Sequence, residues 1–267
     1  MFIEFLPAAY VPFPGIAPWA VVCVFAAHFF GAFIRGTFGF GSNLAIVLLT
    51  TWLLGPHHAI LLALMSTLVA QVHLLPQGLK TADWPVARPL LAGLVVGLGI
   101  GTWLFVVLAS DWLTLILGLL VILVIAMDKT NILERIAARI NIRTLPIASA
   151  LSLGAGVIGA VAGGGAFYFL VYYLKLACET PAKLRGTNLL LSAMSMVARF
   201  SFVVIAGVLS WNLATEATLL VPVIFLGTWS GTRYFQASSP ERFFMALQGL
   251  LLFAAVTLVI KGLFRVA

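Results

Sequence analysis

The chain has 267 residues, 63% of them hydrophobic and 9% charged, with a mean hydropathy of +1.15 and a formal net charge of +7. A soluble domain carries roughly 25% charged residues. Too little polar surface is therefore available for a water-soluble globule, and the chain reads as an integral membrane protein whose solvent is lipid. The positive charge does not point to nucleic acid, because most basic residues sit in short loops beside apolar runs and set topology.

Residues 1–18 hold Glu4 and no lysine or arginine, so they do not read as a signal peptide. Apolar segments follow at about 19–34, 43–54, 57–77, 86–109 and 112–127. A second series lies at about 146–162, 166–178, 186–207, 213–234 and 242–262. No amphipathic strand ladder appears, so the segments are helical and the fold is an all-α membrane protein. Between the series, Asp128 to Thr144 is the longest polar stretch. The organisation expected is a repeat over 1–127, a cytoplasmic linker over 128–144 and a second repeat over 145–267.

A glycine-rich turn marks the same place in each series. The first is Gly36-Thr37-Phe38-Gly39-Phe40-Gly41-Ser42, and the second is Gly159-Ala160-Val161-Ala162-Gly163-Gly164-Gly165. Ala59 and Ala182 follow them at one common offset. Gly97-x-x-x-Gly101-Thr102 then recurs as Gly227-x-x-x-Gly231-Thr232, and Gly118 as Gly249. Landmarks repeated in one order indicate an internal duplication, a pointer to a transporter with its site at the repeat interface. Helix packing alone is the competing reading, since small residues are common wherever membrane helices touch.

The first two segments of each series are short for a bilayer crossing, which takes roughly 20 helical residues. They read as a broken helix or a re-entrant hairpin tipped by the glycine turn, with three further spans per repeat and 8–10 hydrophobic segments in all. Re-entrant arms, or arms that both cross, give each half an odd number of crossings and so inverted repeats. A single bent span would give parallel repeats. Charge favours inversion with both termini outside. Lys80, Arg88, Lys129, Arg135, Arg139, Arg143, Lys175, Lys183, Arg185, Arg233 and Arg242 then share one side, against Lys261 and Arg265.

Two full charges fall well inside apolar segments, Arg35 and Arg199. No aspartate or glutamate is read at comparable depth. An arginine in the bilayer costs at least roughly 2.5–3.5 kcal/mol and marks function by default, although snorkelling toward an interface is the plain alternative. Without a carboxylate, such a pair needs an anion or several backbone carbonyls. The glycine turns add helix starts near Asn43 and Ala166, whose unpaired N–H groups and partial positive charge suit an anion. The substrate-binding set is thus Arg35, Gly39, Gly41, Ser42, Asn43, Gly163, Gly164, Gly165, Thr187, Asn188 and Arg199, with Ser66, Thr67, Gln71 and Ser192 around it. For the uncharged members, hydrogen bonding between helices is the competing role.

His57-His58 follows Gly55-Pro56 in a short turn and reads as interfacial, whereas His28 and His73 are single residues in apolar runs. Cys23 and Cys178 show no motif spacing and read as packing residues. No metal-ligand spacing and no catalytic motif appears, so neither a metal nor an enzyme activity is expected.

The duplicated motifs, Gly36-x-x-Gly39-x-Gly41-Ser42 with Gly159-x-x-Ala162-x-Gly164-Gly165, Ala59 with Ala182, and the Gly97 and Gly227 segments, resemble the TauE/SafE sulfite exporters of the toluene-sulfonate uptake permease group. The resemblance covers nearly the whole chain. It departs at Ser42-Asn43 and Ala162, and in lacking a proline close after either turn. It implies a multi-pass carrier of small sulfur-containing anions in the bacterial inner membrane, without a cofactor. The partners expected are a small anion and the lipid bilayer, with homo-oligomerisation left open. A negative cell interior expels a monoanion with about 2.3 kcal/mol per 100 mV. Uptake would need a coupled cation, and no buried carboxylate is read to carry one, so export is favoured. Organosulfonate uptake and a non-transporting scaffold or enzyme subunit are the alternatives.

Overall fold

The computed structural model describes residues 11–38, 42–130, 144–163, 167–237, 252 and 254–264. Ten helices account for most of them. They are α1 Pro18–Phe38, α2 Ser42–Leu54, α3 Pro56–Thr81, α4 Trp84–Val107, α5 Ser110–Thr130, α6 Leu145–Ala162, α7 Phe167–Ala177, α8 Pro181–Ile205, α9 Trp211–Ala237 and α10 Ala254–Phe264. No strand occurs among the described residues. Residues within 18–37, 84–107, 145–162, 182–205 and 211–234 are long and apolar enough to cross a membrane.

The local signals that end each helix are plain. Pro56 opens α3 directly after Gly55, whose φ of 79° lets α2 turn into α3 across one residue. Thr180 caps α8 by accepting from the Lys183 N–H at 3.2 Å. Gly163 closes α6 in the left-handed conformation, φ 75°. With 13 residues α2 is about 20 Å long, and with 11 residues α7 is about 17 Å, both short of the roughly 30 Å hydrocarbon core.

All seven tryptophans, Trp19, Trp52, Trp84, Trp103, Trp112, Trp211 and Trp229, are exposed. So are Val96, Ile100 and Val107 on α4 and Leu219, Phe225 and Leu226 on α9. Water would penalise this arrangement, while lipid accepts it and draws tryptophan to its interfaces.

Small residues let backbones touch inside. A Cβ on Gly97 would run into the Leu153 carbonyl, one on Gly101 into Val157, and one on Gly156 into the Leu94 carbonyl. These contacts advance along α4 and α6 in the same sense, so the two helices run parallel. Gly227 against Phe29, Gly231 against Phe33 and Gly36 against Thr228 make α1 and α9 parallel likewise. By contrast, Gly78 against Leu189 and Gly186 against Thr81 make α3 and α8 antiparallel, as do Gly118 against Ala255 and Gly262 against Leu115 for α5 and α10. Each of these four pairs joins a helix of 1–127 to one of 145–267. The Gly97 and Gly227 landmarks therefore serve helix crossings rather than a ligand.

Candidate functional site

Where the tips of α1 and α6 meet α2, α3, α4 and α8, the bundle holds a partly open cavity of about 50 Å³. That is room for roughly four waters, or one small oxyanion. Apolar walls come from Leu44, Leu64, Leu94, Leu98, Ala155 and Met196, and Gly159 and Gly163 line the α6 side. The polar lining is Arg35, Ser42, Asn43, Asn188, Ser192, Ser195 and Arg199. Among the described residues, no aspartate or glutamate lines it.

Each polar group arrives for a local reason. Arg35 sits in the last turn of α1, where a cation favours the C-terminal end of the helix dipole. Ser42 and Asn43 are the first two residues of α2, the turn in which a helix has unpaired backbone N–H groups. The Ser42 hydroxyl donates to Asn43 Oδ1 at 3.2 Å. Asn188, Ser192, Ser195 and Arg199 recur at helical spacing and fall on one face of α8.

The hydrogen bonding is unevenly met. Arg199 Nη2 donates to the Ala160 carbonyl at 2.6 Å. Arg35 is 5% exposed, yet its Nε and Nη1 have no partner among the described residues. Asn188 Oδ1 and Ser195 Oγ are buried and unpartnered in the same sense. Buried polar groups in native proteins are almost always hydrogen-bonded, and an unpaired buried guanidinium is expensive. Two arginines, unpaired donors on Arg35 and Ser195 beside one unpaired acceptor on Asn188, and no acid among the described lining residues have the chemistry of an anion site.

A family model described as "Sulfite exporter TauE/SafE" matches residues 24–258, nearly the whole chain. The chain belongs to the TauE/SafE sulfite exporter family. No curated protein and no solved structure matches it. Family membership makes it a multi-pass membrane transporter of the sulfite and sulfonate exporter class.

Of the residues expected at the site, Arg35, Ser42, Asn43, Gly163, Asn188, Ser192 and Arg199 come together around the cavity. Gly39, Gly41, Gly164 and Gly165 lie outside the described residues. Thr187 is elsewhere: its hydroxyl donates to the Lys183 carbonyl at 2.7 Å and accepts from the Asp83 N–H at 2.8 Å, joining α8 to the start of α4. Beside it, burial raises the Cys178 thiol above its ordinary value, as suits a packing residue. Ser66 and Thr67 both donate back to the Ala63 carbonyl, at 3.3 and 2.5 Å. Gln71 donates to the Leu189 carbonyl at 3.2 Å, one residue from Asn188, without lining the cavity. Ser195 was not expected there, although its place on the Asn188–Arg199 stripe is a readable signal.

One expectation is overturned outright. Glu216, on the second turn of α9, is fully buried within a span. The Phe13 N–H donates to its Oε1 at 2.8 Å, and its Oε2 lies 2.5 Å from Nε2 of His58. The chain therefore does bury a carboxylate, and the absence of one cannot count against cation coupling. His57 and His58 belong to the first turn of α3 rather than to a loop. His57 Nε2 donates to the Phe105 carbonyl at 3.1 Å and its Nδ1 accepts from Ser110 Oγ at 3.1 Å. His28 donates through Nδ1 to the Val24 carbonyl at 2.8 Å.

Proposed function

We propose that the protein is a secondary transporter that holds a small sulfur-containing oxyanion, of the sulfite or organosulfonate class, between the two glycine turns near the bilayer midplane. The observation that carries this reading is Arg35, buried with two donors unpartnered among the described residues, in a cavity whose described lining holds no acid. A planar guanidinium fork matches a sulfite or sulfonate face. Leu94 in the middle of α4, and Ser192 and Ser195 in the middle of α8, support a site at mid-depth.

The two halves are read as inverted repeats about this site. Parallel contact of α1 with α9 and of α4 with α6, with antiparallel contact of α3 with α8 and of α5 with α10, is the set an in-plane two-fold axis produces. Repeats of equal orientation would make the last two pairs parallel. With the linker at 128–144 in the cytoplasm, the membrane of residence is the bacterial inner membrane. Export remains the favoured direction on one ground: a monoanion leaves a negative interior without coupling.

Flux of sulfite from proteoliposomes under an imposed potential is the test. Interior-negative voltage should speed efflux, and small anions should raise the melting temperature by mass action. A protein that moves no anion and gains no stability from one is a scaffold. Uptake that requires a proton or sodium gradient would replace export with organosulfonate import.

A further inference from the structure

The contact between His58 and Glu216 joins the first turn of α3 to the second turn of α9, and so joins the two halves of the chain. At the opposite end of α3, a second pair joins the other two helices: Lys183 in the first turn of α8 reaches Asp83, the residue before α4, at 3.3 Å. The two pairs occupy corresponding places, since α8 corresponds to α3 and α4 to α9 in the duplication. Their chemistry differs. The Lys183 and Asp83 side chains are 43% and 13% exposed, so solvent screens them. At the other pair the carboxylate is 0% exposed and the imidazole 32%. A lysine keeps its charge over the physiological range, whereas imidazole is the side chain that changes charge near neutral pH.

His58 Nε2 donates to Glu216 Oε2, because an ionised carboxylate only accepts. With that proton alone, the pair has a net negative charge, held by the Phe13 N–H and the imidazole N–H in apolar surroundings that include Phe13, Leu213, Ala217 and Leu61. A second proton, entering through the exposed edge of His58, makes the pair neutral. A neutral ion pair is far less costly to keep out of water than a lone carboxylate. The other titratable groups at this end do not supply that charge. On α3, the His57 ring is committed to Phe105 and Ser110. Asp111, in the first turn of α5, adds negative charge. On α10, Lys261 lies over the Trp52 ring at 4.2 Å. On α1, His28 is bonded to its own helix.

We propose that His58 and Glu216 form a proton-binding latch: a proton taken up through His58 holds α3 against α9 at this end of the bundle, and its loss lets that end open. Phe13 is the third member. Its backbone has φ 53°, an unusual conformation for a bulky residue, and its N–H and buried ring tie the segment before α1 to the latch. The proposal rests on the carrier reading only in taking the bundle to open.

The test reads the latch itself. In a chain with Cys23→Ser and Cys178→Ala, Leu61→Cys places a reporter one turn beyond His58 in the apolar core. Its modification by a charged, membrane-impermeant thiol reagent is measured across the pH range and divided by the rate in the same chain carrying His58→Gln. The division removes the reagent's own pH dependence. The ratio should rise roughly fivefold or more as the pH is raised, as the unmodified latch loses its proton and the glutamine does not. Glu216→Gln, divided in the same way, should show no such rise. A flat ratio for the unmodified latch, or an equal rise in Glu216→Gln, overturns the proposal and leaves a fixed contact. His58 is part-exposed, so the His58→Gln arm stands even where Glu216→Gln does not fold. Sulfite-dependent thermal stabilisation of the same samples reports on the anion site separately. A flat ratio with that stabilisation intact sinks the latch alone.

Discussion

Arg35 and Arg199 are each 5% exposed, face one cavity and come from different halves of the chain, yet they are held differently. Arg199 reaches across to the Ala160 carbonyl on α6, so part of its hydrogen-bonding demand is met by the fold. Arg35 has Nε and Nη1 free of any partner among the described residues. Equal depth therefore does not mean equal role. A guanidinium anchored to a carbonyl is positioned and partly compensated. One that carries free donors waits for an acceptor from outside, and its burial is tolerable only if that acceptor arrives.

The sharpest way to break the comparison is Arg35→Gln. The substitution removes the charge and both free donors. Hydrogen bonds to charged groups are worth about 1.5–3 kcal/mol each, so anion affinity should fall on the order of a hundredfold or more. Sulfite-dependent thermal stabilisation should disappear, while the yield of folded protein holds or improves, because an uncompensated buried charge is gone. Arg35→Lys should keep part of the affinity, since the charge stays and the fork is lost. Undiminished stabilisation in Arg35→Gln would mean that the anion is held without this guanidinium.

Arg199→Gln should act more weakly, about tenfold in affinity, because one of its bonds belongs to the fold. It should also lower the melting temperature measured without anion, since Ala160 loses its charged donor. The two losses together distinguish an anchored arginine from a waiting one. Equal affinity losses in Arg35→Gln and Arg199→Gln would erase the distinction and make the two a symmetric clamp.

The membrane class and the spans were legible because hydropathy is a property of windows and survives small errors of boundary. Arg35 and Arg199 were legible because a charge in an apolar run has few explanations. Helical faces were harder to read. Thr187 adjoins Asn188 in sequence, but one residue is about 100° around a helix, and it turns toward the start of α4 while Asn188 faces the cavity. Ser195 lay on the cavity stripe four residues before Arg199, where counting turns would have found it. Ser66 and Thr67 close bonds within their own helix, the outcome that residue type alone could not separate from ligand binding. Glu216 escaped for a tertiary reason. It is close to a helix start, where a carboxylate usually meets water, and its burial depends on α3 and the Phe13 segment closing over it. Nothing in the local sequence announces that cover.

The smallest expected effect tests the cavity side that has no charge. Ser195 Oγ is buried without a partner among the described residues, one turn from Arg199 on the same face of α8. A hydroxyl that serves only packing would bond its own helix, as Thr67 and Thr102 do. Removing an unpartnered buried hydroxyl relieves a desolvation penalty, so Ser195→Ala should leave the anion-free protein as stable or raise its melting temperature by about a degree or two. The same change should weaken anion binding several-fold, by roughly 0.5–1.5 kcal/mol, the worth of one ordinary hydrogen bond. Opposite signs in two measurements on one variant are what a ligand-facing group produces. If Ser195→Ala lowers stability and leaves the anion-dependent shift unchanged, its hydroxyl belongs to the protein's own packing, and the anion is held from the α1, α2 and Arg199 sides of the cavity alone.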